Sequence, residues 1–173
     1  MFLLDAYALI YRAYYAFIRN PIYNSRGLNT SAILGFTNTL VEVLEKQNPS
    51  HIAIVFDPSK PTFRNTIYPE YKANREQMPE DIQRSIPYIM QIVHAFNIPV
   101  IQQENYEADD VIGTLAHQAK QEGFQTYMMS ADKDYGQLLE KDIFLYKPKR
   151  SGSEAEILDK DKICEQFNIT QPR

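Results

Sequence analysis

Residues 105–123 read NYEADDVIGTLAHQAKQEG, and the fold turns on how this stretch is read. An apolar run begins right after the acids, and Gly123 is the kind of residue that ends a helix in a left-handed turn. The stretch therefore predicts a helix over 107–122. On either side lie the short apolar runs IPVI (98–101) and FQTYMMS (124–130), which read as buried strands. Strands separated by a helix of this length pair in parallel, with helices covering the sheet. The same stretch also raises a chemical question. Glu107, Asp109 and Asp110 crowd three carboxylates into four positions, where like charges repel and each prefers water to a charged neighbour.

The alternation continues outward in both directions. MFLL (1–4) is a strand ending at Asp5, HIAIVF (51–56) a strand ending at Asp57, and IFLYK (143–147) a fifth strand. Helices are predicted at about 6–17, 30–47, 79–96, 134–139 and 159–167, with Thr30 and Ser31 as caps and Pro79 suited to a first turn. RSGSEAE reads as a loop. The expected fold class is α/β, a three-layer domain with a mostly parallel central sheet flanked by helices over 1–173. Hydrophobic residues at 44% and charged ones at 23% are ordinary for a globular chain and argue against disorder. The single Cys164 excludes an internal disulfide framework and a multi-cysteine zinc site, which points to a reducing cytoplasm. A net charge of −4 argues against a general nucleic-acid coat while leaving room for a local basic surface.

In open α/β sheets ligands bind beyond the carboxyl ends of the strands. Asp5, Asp57, Glu107, Asp109, Asp110, Asp132 and Asp134 all follow strand ends, so the topology brings seven acids to one edge. Taken singly, each has a plain reading as a helix-dipole partner, a turn residue or a cap. Together their repulsion calls for cations. The donors are all oxygen, which suits Mg²⁺ or Mn²⁺, and their number suits two ions clamping a phosphodiester. His51, His94 and His117 lie outside these motifs.

The segment 58–78, PSKPTFRNTIYPEYKANREQM, breaks the alternation. Its three prolines and missing apolar face mark a functional or unstructured stretch. Lys60, Arg64, Lys72 and Arg75 interleave with Phe63, Tyr68 and Tyr71, a composition suited to single-stranded nucleic acid. A helix over 68–77 would place Tyr68, Tyr71, Lys72 and Arg75 on one face. An ordinary solvated loop, its bases balanced by Glu70, Glu76 and Glu80, is the competing reading. On the first helix, Tyr7, Tyr11, Tyr14 and Tyr15 read as packing residues with polar tips, and Arg12 as a candidate phosphate contact.

FLLDAYALIYRAYYAF, GLNTSAILGFTNTL, VFDPSKPTFRNTIYPEYKANR, YEADDVIGTLA and SADKDYGQLL together resemble the 5′-nuclease domain that begins bacterial DNA polymerase I, a relative of the flap endonucleases in the PIN-like superfamily. The resemblance implies a PIN-like (resolvase-like) fold and a two-Mg²⁺ 5′→3′ exonuclease and flap endonuclease acting on 5′ flaps, nicked duplexes and RNA primers. It places metal ligands on all seven acids, with Asp57, Glu107, Asp109 and Asp110 serving mainly the first ion and Asp132 and Asp134 mainly the second. It places a helical arch on about 59–80, with Lys72 and Arg75 at the scissile phosphate and Tyr71 at a stacking position. It also implies a downstream helix–three-turn–helix element bearing two more aspartates, polymerase domains further on, and a monomer near the nucleoid. A PIN-type ribonuclease, a non-catalytic nucleic-acid-binding module and a phospho-acceptor domain share the acidic edge. The arch argues against the first and last of these, and catalysis separates the second.

Overall fold

The computed structural model describes residues 1–74, 76–148 and 155–168. Six strands form one sheet in the order β3-β2-β1-β4-β5-β6. They are β1 (Phe2–Asp5), β2 (Ile52–Phe56), β3 (Val100–Gln102), β4 (Thr126–Met129), β5 (Ile143–Lys147) and β6 (Glu156–Leu158). All pairings are parallel except β5 with β6. The helices are α1 (Ala6–Ala16), α2 (Ser31–Gln47), α3 (Phe63–Ile67), α4 (Glu80–Ala95), α5 (Ala108–Gln121) and α6 (Lys160–Phe167), and a 3₁₀ turn spans Lys133–Leu138. The expected three-layer α/β architecture is present. Gly123 ends α5 with φ +84°, a conformation that glycine adopts without strain.

Successive side chains on a strand point to opposite faces, and the core divides accordingly. Phe2, Leu4, Ile54 and Phe56 join α1, α2 and α4 in one buried cluster. Leu3, Ala53 and Val55 join α5 and α6 in the other. A sheet covered on both faces is why these strands read as unbroken apolar runs. α1 and α2 approach closely at Gly35, where a Cβ would lie 2.8 Å from that of Ala13.

Two expectations are corrected. The antiparallel edge strand β6 is absent from the sequence reading, whose loop RSGSEAE ends on its first residue, Glu156, because three residues bounded by polar sequence carry too little pattern to register. Tyr68 is extended and residues 69–74 form turns, not a helix. Pro69 holds Tyr68 in an extended conformation (φ −135°, ψ 96°), and Lys72 has φ +58°. Tyr68 therefore turns outward, its hydroxyl donating to Glu70, and does not share a face with Tyr71 and Lys72. Arg75 lies outside the described residues.

The strand order places the site. From β1 the chain winds outward to β2 and β3, then returns to lay β4 against the other side of β1. The crevice at the carboxyl ends of β1 and β4 is the point where the winding reverses, the place where open α/β sheets bind ligands.

Candidate active site

A cleft of about 770 Å³ opens at that reversal point, and Asp5, Asp57, Glu107, Asp109 and Asp132 line it together with Lys72. Each acid is held by local backbone geometry. Asp5 ends β1 and caps α1, its Oδ1 accepting the Ala8 N–H at 3.0 Å. Asp57 follows β2, and its Oδ1 accepts the N–H of Ala108, the first residue of α5, at 2.7 Å. Glu107 precedes α5, and Asp109 lies in its first turn, where the helix dipole favours negative charge. Asp132 caps the 3₁₀ turn, accepting from the Asp134 N–H at 2.9 Å.

Cations of the chain itself meet these acids. Lys72 Nζ lies 2.8 Å from Glu107 Oε1, and the Tyr71 hydroxyl donates to Glu107 Oε2 at 3.1 Å. Arg64 grips Asp110 with both guanidinium nitrogens, one at 2.8 Å, and lies 3.6 Å from Glu107 and 3.9 Å from Asp109. Hydrogen bonding to Arg64 holds the Asp110 carboxyl below the usual carboxylate range, and the pairing pushes Arg64 further up. Asp5 and Asp109 move the other way. Burial raises both, Asp57 adds to the rise at Asp5, and Asp110 adds to it at Asp109.

Among the described residues, no three of these carboxylates close on a common point, so the acids form a wall and not a finished cation cage. The wall still fits a hard divalent cation. The carboxylates lining the cleft offer oxygen alone, and buried Asp5 and half-exposed Asp109 carry charge that nearby protein groups do not fully offset.

The structure thus gathers five of the seven expected acids, with Lys72, in one cleft. Asp110 is turned to Arg64, and Asp134 is exposed and does not line the cleft. Lys60 pairs with Glu104 at the surface. Arg12 donates to the Pro148 carbonyl at 2.7 Å and does not line the cleft. Tyr7, Tyr11 and Tyr15 do line it, one helical turn apart, while Tyr7, Tyr11 and Tyr14 also pack against the core. Their i, i+4, i+8 spacing was the available signal. Sequence reasoning missed Ser130 and Tyr135, whose hydroxyls reach Asp5 from across the sheet.

Sheet order, flanking helices and acidic cleft define a PIN-like fold. The chain belongs to the family of N-terminal resolvase-like domains of 5′-3′ exonucleases, whose model matches residues 1–168. It is 35% identical over 168 residues to DNA polymerase I of Bacillus caldotenax, covering 97% of this chain and 19% of that protein. With DNA polymerase I of Synechocystis the identity is 38% over 179 residues, covering 98% and 18%. The chain thus spans about a fifth of the length of these curated relatives. Among solved structures it shares its fold with the bacteriophage T5 5′-exonuclease bound to zinc, with a TM-score of 0.71 at 14% identity, covering 99% of this chain and 62% of that one. It matches the T5 flap endonuclease in a pseudo-enzyme–product complex with DNA and metal ions at a TM-score of 0.69 and 16% identity, covering 98% and 61%.

Proposed function

We propose that this chain is the catalytic core of a metal-dependent 5′ nuclease that hydrolyses phosphodiester bonds in 5′ flaps and 5′ ends of DNA or RNA strands. The observation that carries this reading is the convergence of five of the seven expected acids and Lys72, with Glu76 beside them, in one cleft at the reversal point of the sheet. Membership of the 5′-3′ exonuclease family supports the polarity, and the likeness to polymerase I supports work in primer removal and repair beside polymerase domains. A cytoplasmic place at the nucleoid is what this reading implies. Two Mg²⁺ ions, replaceable by Mn²⁺, are the cofactors this reading implies.

Asp5, Asp57, Glu107, Asp109 and Asp132 would hold the ions, with Asp110 and Asp134 at the margin. Bound divalent cations supply Lewis-acid stabilisation of phosphoryl charge and a water of lowered pKa. The chain supplies the rest. The Lys72 ammonium leaves Glu107 to meet a phosphate oxygen, a step open to it because it sits on a turn and not on a rigid helix. Arg75 is assigned the same partner from the family resemblance. Tyr71, released from Glu107 together with Lys72, and the Tyr7–Tyr11–Tyr15 face offer flat aromatic surfaces to unstacked bases. Arg64 keeps the start of α5 electrically tolerable while the substrate phosphates approach.

The test is cleavage of a 5′-labelled flap with Mg²⁺ or Mn²⁺. It compares this chain and the same chain extended by about 120 further residues of its own protein, roughly one domain, with and without Asp132→Asn. Metal-dependent release of a short 5′ product that Asp132→Asn abolishes is expected. An inert extended chain, or one indifferent to Asp132→Asn, refutes the assignment.

A further inference from the structure

Asp5 ends β1 and Asp132 caps the 3₁₀ turn after β4, and one buried hydroxyl joins them. The Ser130 hydroxyl, 0% exposed just past β4, donates to Asp5 Oδ2 at 3.1 Å, and its own Oγ accepts the Asp132 N–H at 3.1 Å. A second buried hydroxyl, that of Tyr135, donates to the same Asp5 Oδ2 at 3.2 Å. The Ala8 N–H donates to Oδ1 at 3.0 Å. A carboxylate oxygen offers about two good acceptor directions. The two hydroxyls therefore fill Oδ2, while Oδ1 keeps one direction open. Packing alone does not require this arrangement, since alanine and phenylalanine would occupy nearly the same volumes without the hydroxyls.

Resting on the reading of the cleft as a divalent-cation site, we propose that Ser130 is a positioning residue that ties the Asp132 turn to Asp5, and that with Tyr135 it leaves Asp5 a single oxygen, Oδ1, for an incoming cation. The two strands at the reversal point share no covalent link near the site, so a short hydroxyl bridge sets the spacing of their acids directly. Partners that orient metal-binding groups typically change affinity by about 10- to 100-fold when removed.

Mn²⁺ titrations followed by electron paramagnetic resonance test the proposal on the wild-type chain, Ser130→Ala, Tyr135→Phe and Asp5→Asn. Amide exchange at Asp132 is measured without metal on the same proteins. Ser130→Ala is expected to weaken Mn²⁺ binding by about 10- to 100-fold and to release the Asp132 amide to faster exchange. Tyr135→Phe is expected to weaken Mn²⁺ binding while leaving that amide protected, a split that general loosening of the fold would not produce. If Ser130→Ala binds Mn²⁺ as the wild type does while Asp5→Asn does not, or if the Asp132 amide is unmoved in Ser130→Ala, the positioning role is overturned. If Asp5→Asn leaves Mn²⁺ binding unchanged, the cation-site reading itself fails.

Discussion

Replacing Arg64 with alanine removes the guanidinium that bridges α3 to the start of α5. Two charge-assisted hydrogen bonds to Asp110 are lost, along with weaker pairings to Glu107 and Asp109. The pair is neither fully buried nor free in solvent, with side-chain exposures of 26% and 24%. Exposed pairs contribute up to about 1 kcal/mol, and breaking a fully buried one costs about 3–5 kcal/mol. An intermediate loss of about 2 kcal/mol follows for this partly covered site. For a chain of this length that is a fall in Tm of roughly 4–8 °C. The pH dependence gives a sharper test. Arg64 depresses the Asp110 pKa in the folded chain, so the unfolded chain takes up that proton first as pH falls. The stabilisation is therefore present above the ordinary aspartate pKa and disappears as pH drops through the depressed one. Urea unfolding of the wild type and Arg64→Ala at pH 7 and at stepwise lower pH should show two stability curves converging below about pH 4. A gap that stays constant down to pH 2.5, or no gap at pH 7, would refute the electrostatic reasoning.

Other outcomes follow from the same geometry. Asp5→Asn should raise Tm in EDTA while abolishing flap cleavage, because burial raises the Asp5 pKa and its charged form opposes folding as pH rises through that value. A lower Tm at pH 7 would count against it. Lys72→Met is expected to slow single-turnover cleavage by about 10²-fold, in line with other preorganised cationic groups, and to lower Tm as well because Glu107 loses its partner; cleavage at the wild-type rate would remove Lys72 from the mechanism. Gly35→Ala should destabilise by about 1–3 kcal/mol in urea, since its Cβ would meet that of Ala13 at 2.8 Å and neither backbone can yield cheaply. Saturating Mg²⁺ should raise the Tm of Arg64→Ala more than that of the wild type, because a divalent cation replaces the missing positive charge; equal shifts would contradict this.

Strands β1, β2 and β4 could be read directly, because residues buried on both faces leave apolar runs and each run ends in a polar residue at the carboxyl edge of the sheet. α5 was legible from its acidic start and Gly123. β6 was not, since a three-residue edge strand depends on pairing with β5 and not on its own pattern. The segment after α3 was recognisable as exceptional, but its turns were not foreseeable. Pro69 argued against a continuous helix, yet the positive φ at Lys72 arises where that residue and Tyr71 meet Glu107.

By itself the sequence determined the α/β class, the parallel sheet and the edge at which the acids gather. These rest on local periodicity and on the rule that parallel strands place their carboxyl ends together. Only the tertiary structure decided which acids share the cleft. Asp5 and Ser130 are 125 residues apart, and their bond exists because β4 returns to lie against β1. Asp110 follows Glu107 by three residues, yet it turns to Arg64 while Glu107 faces the cleft. NYEADDVIG set three like charges side by side. The fold made that tolerable by bringing Arg64 and Lys72 to them and by giving Glu107 and Asp109 a common wall with Asp5, Asp57 and Asp132.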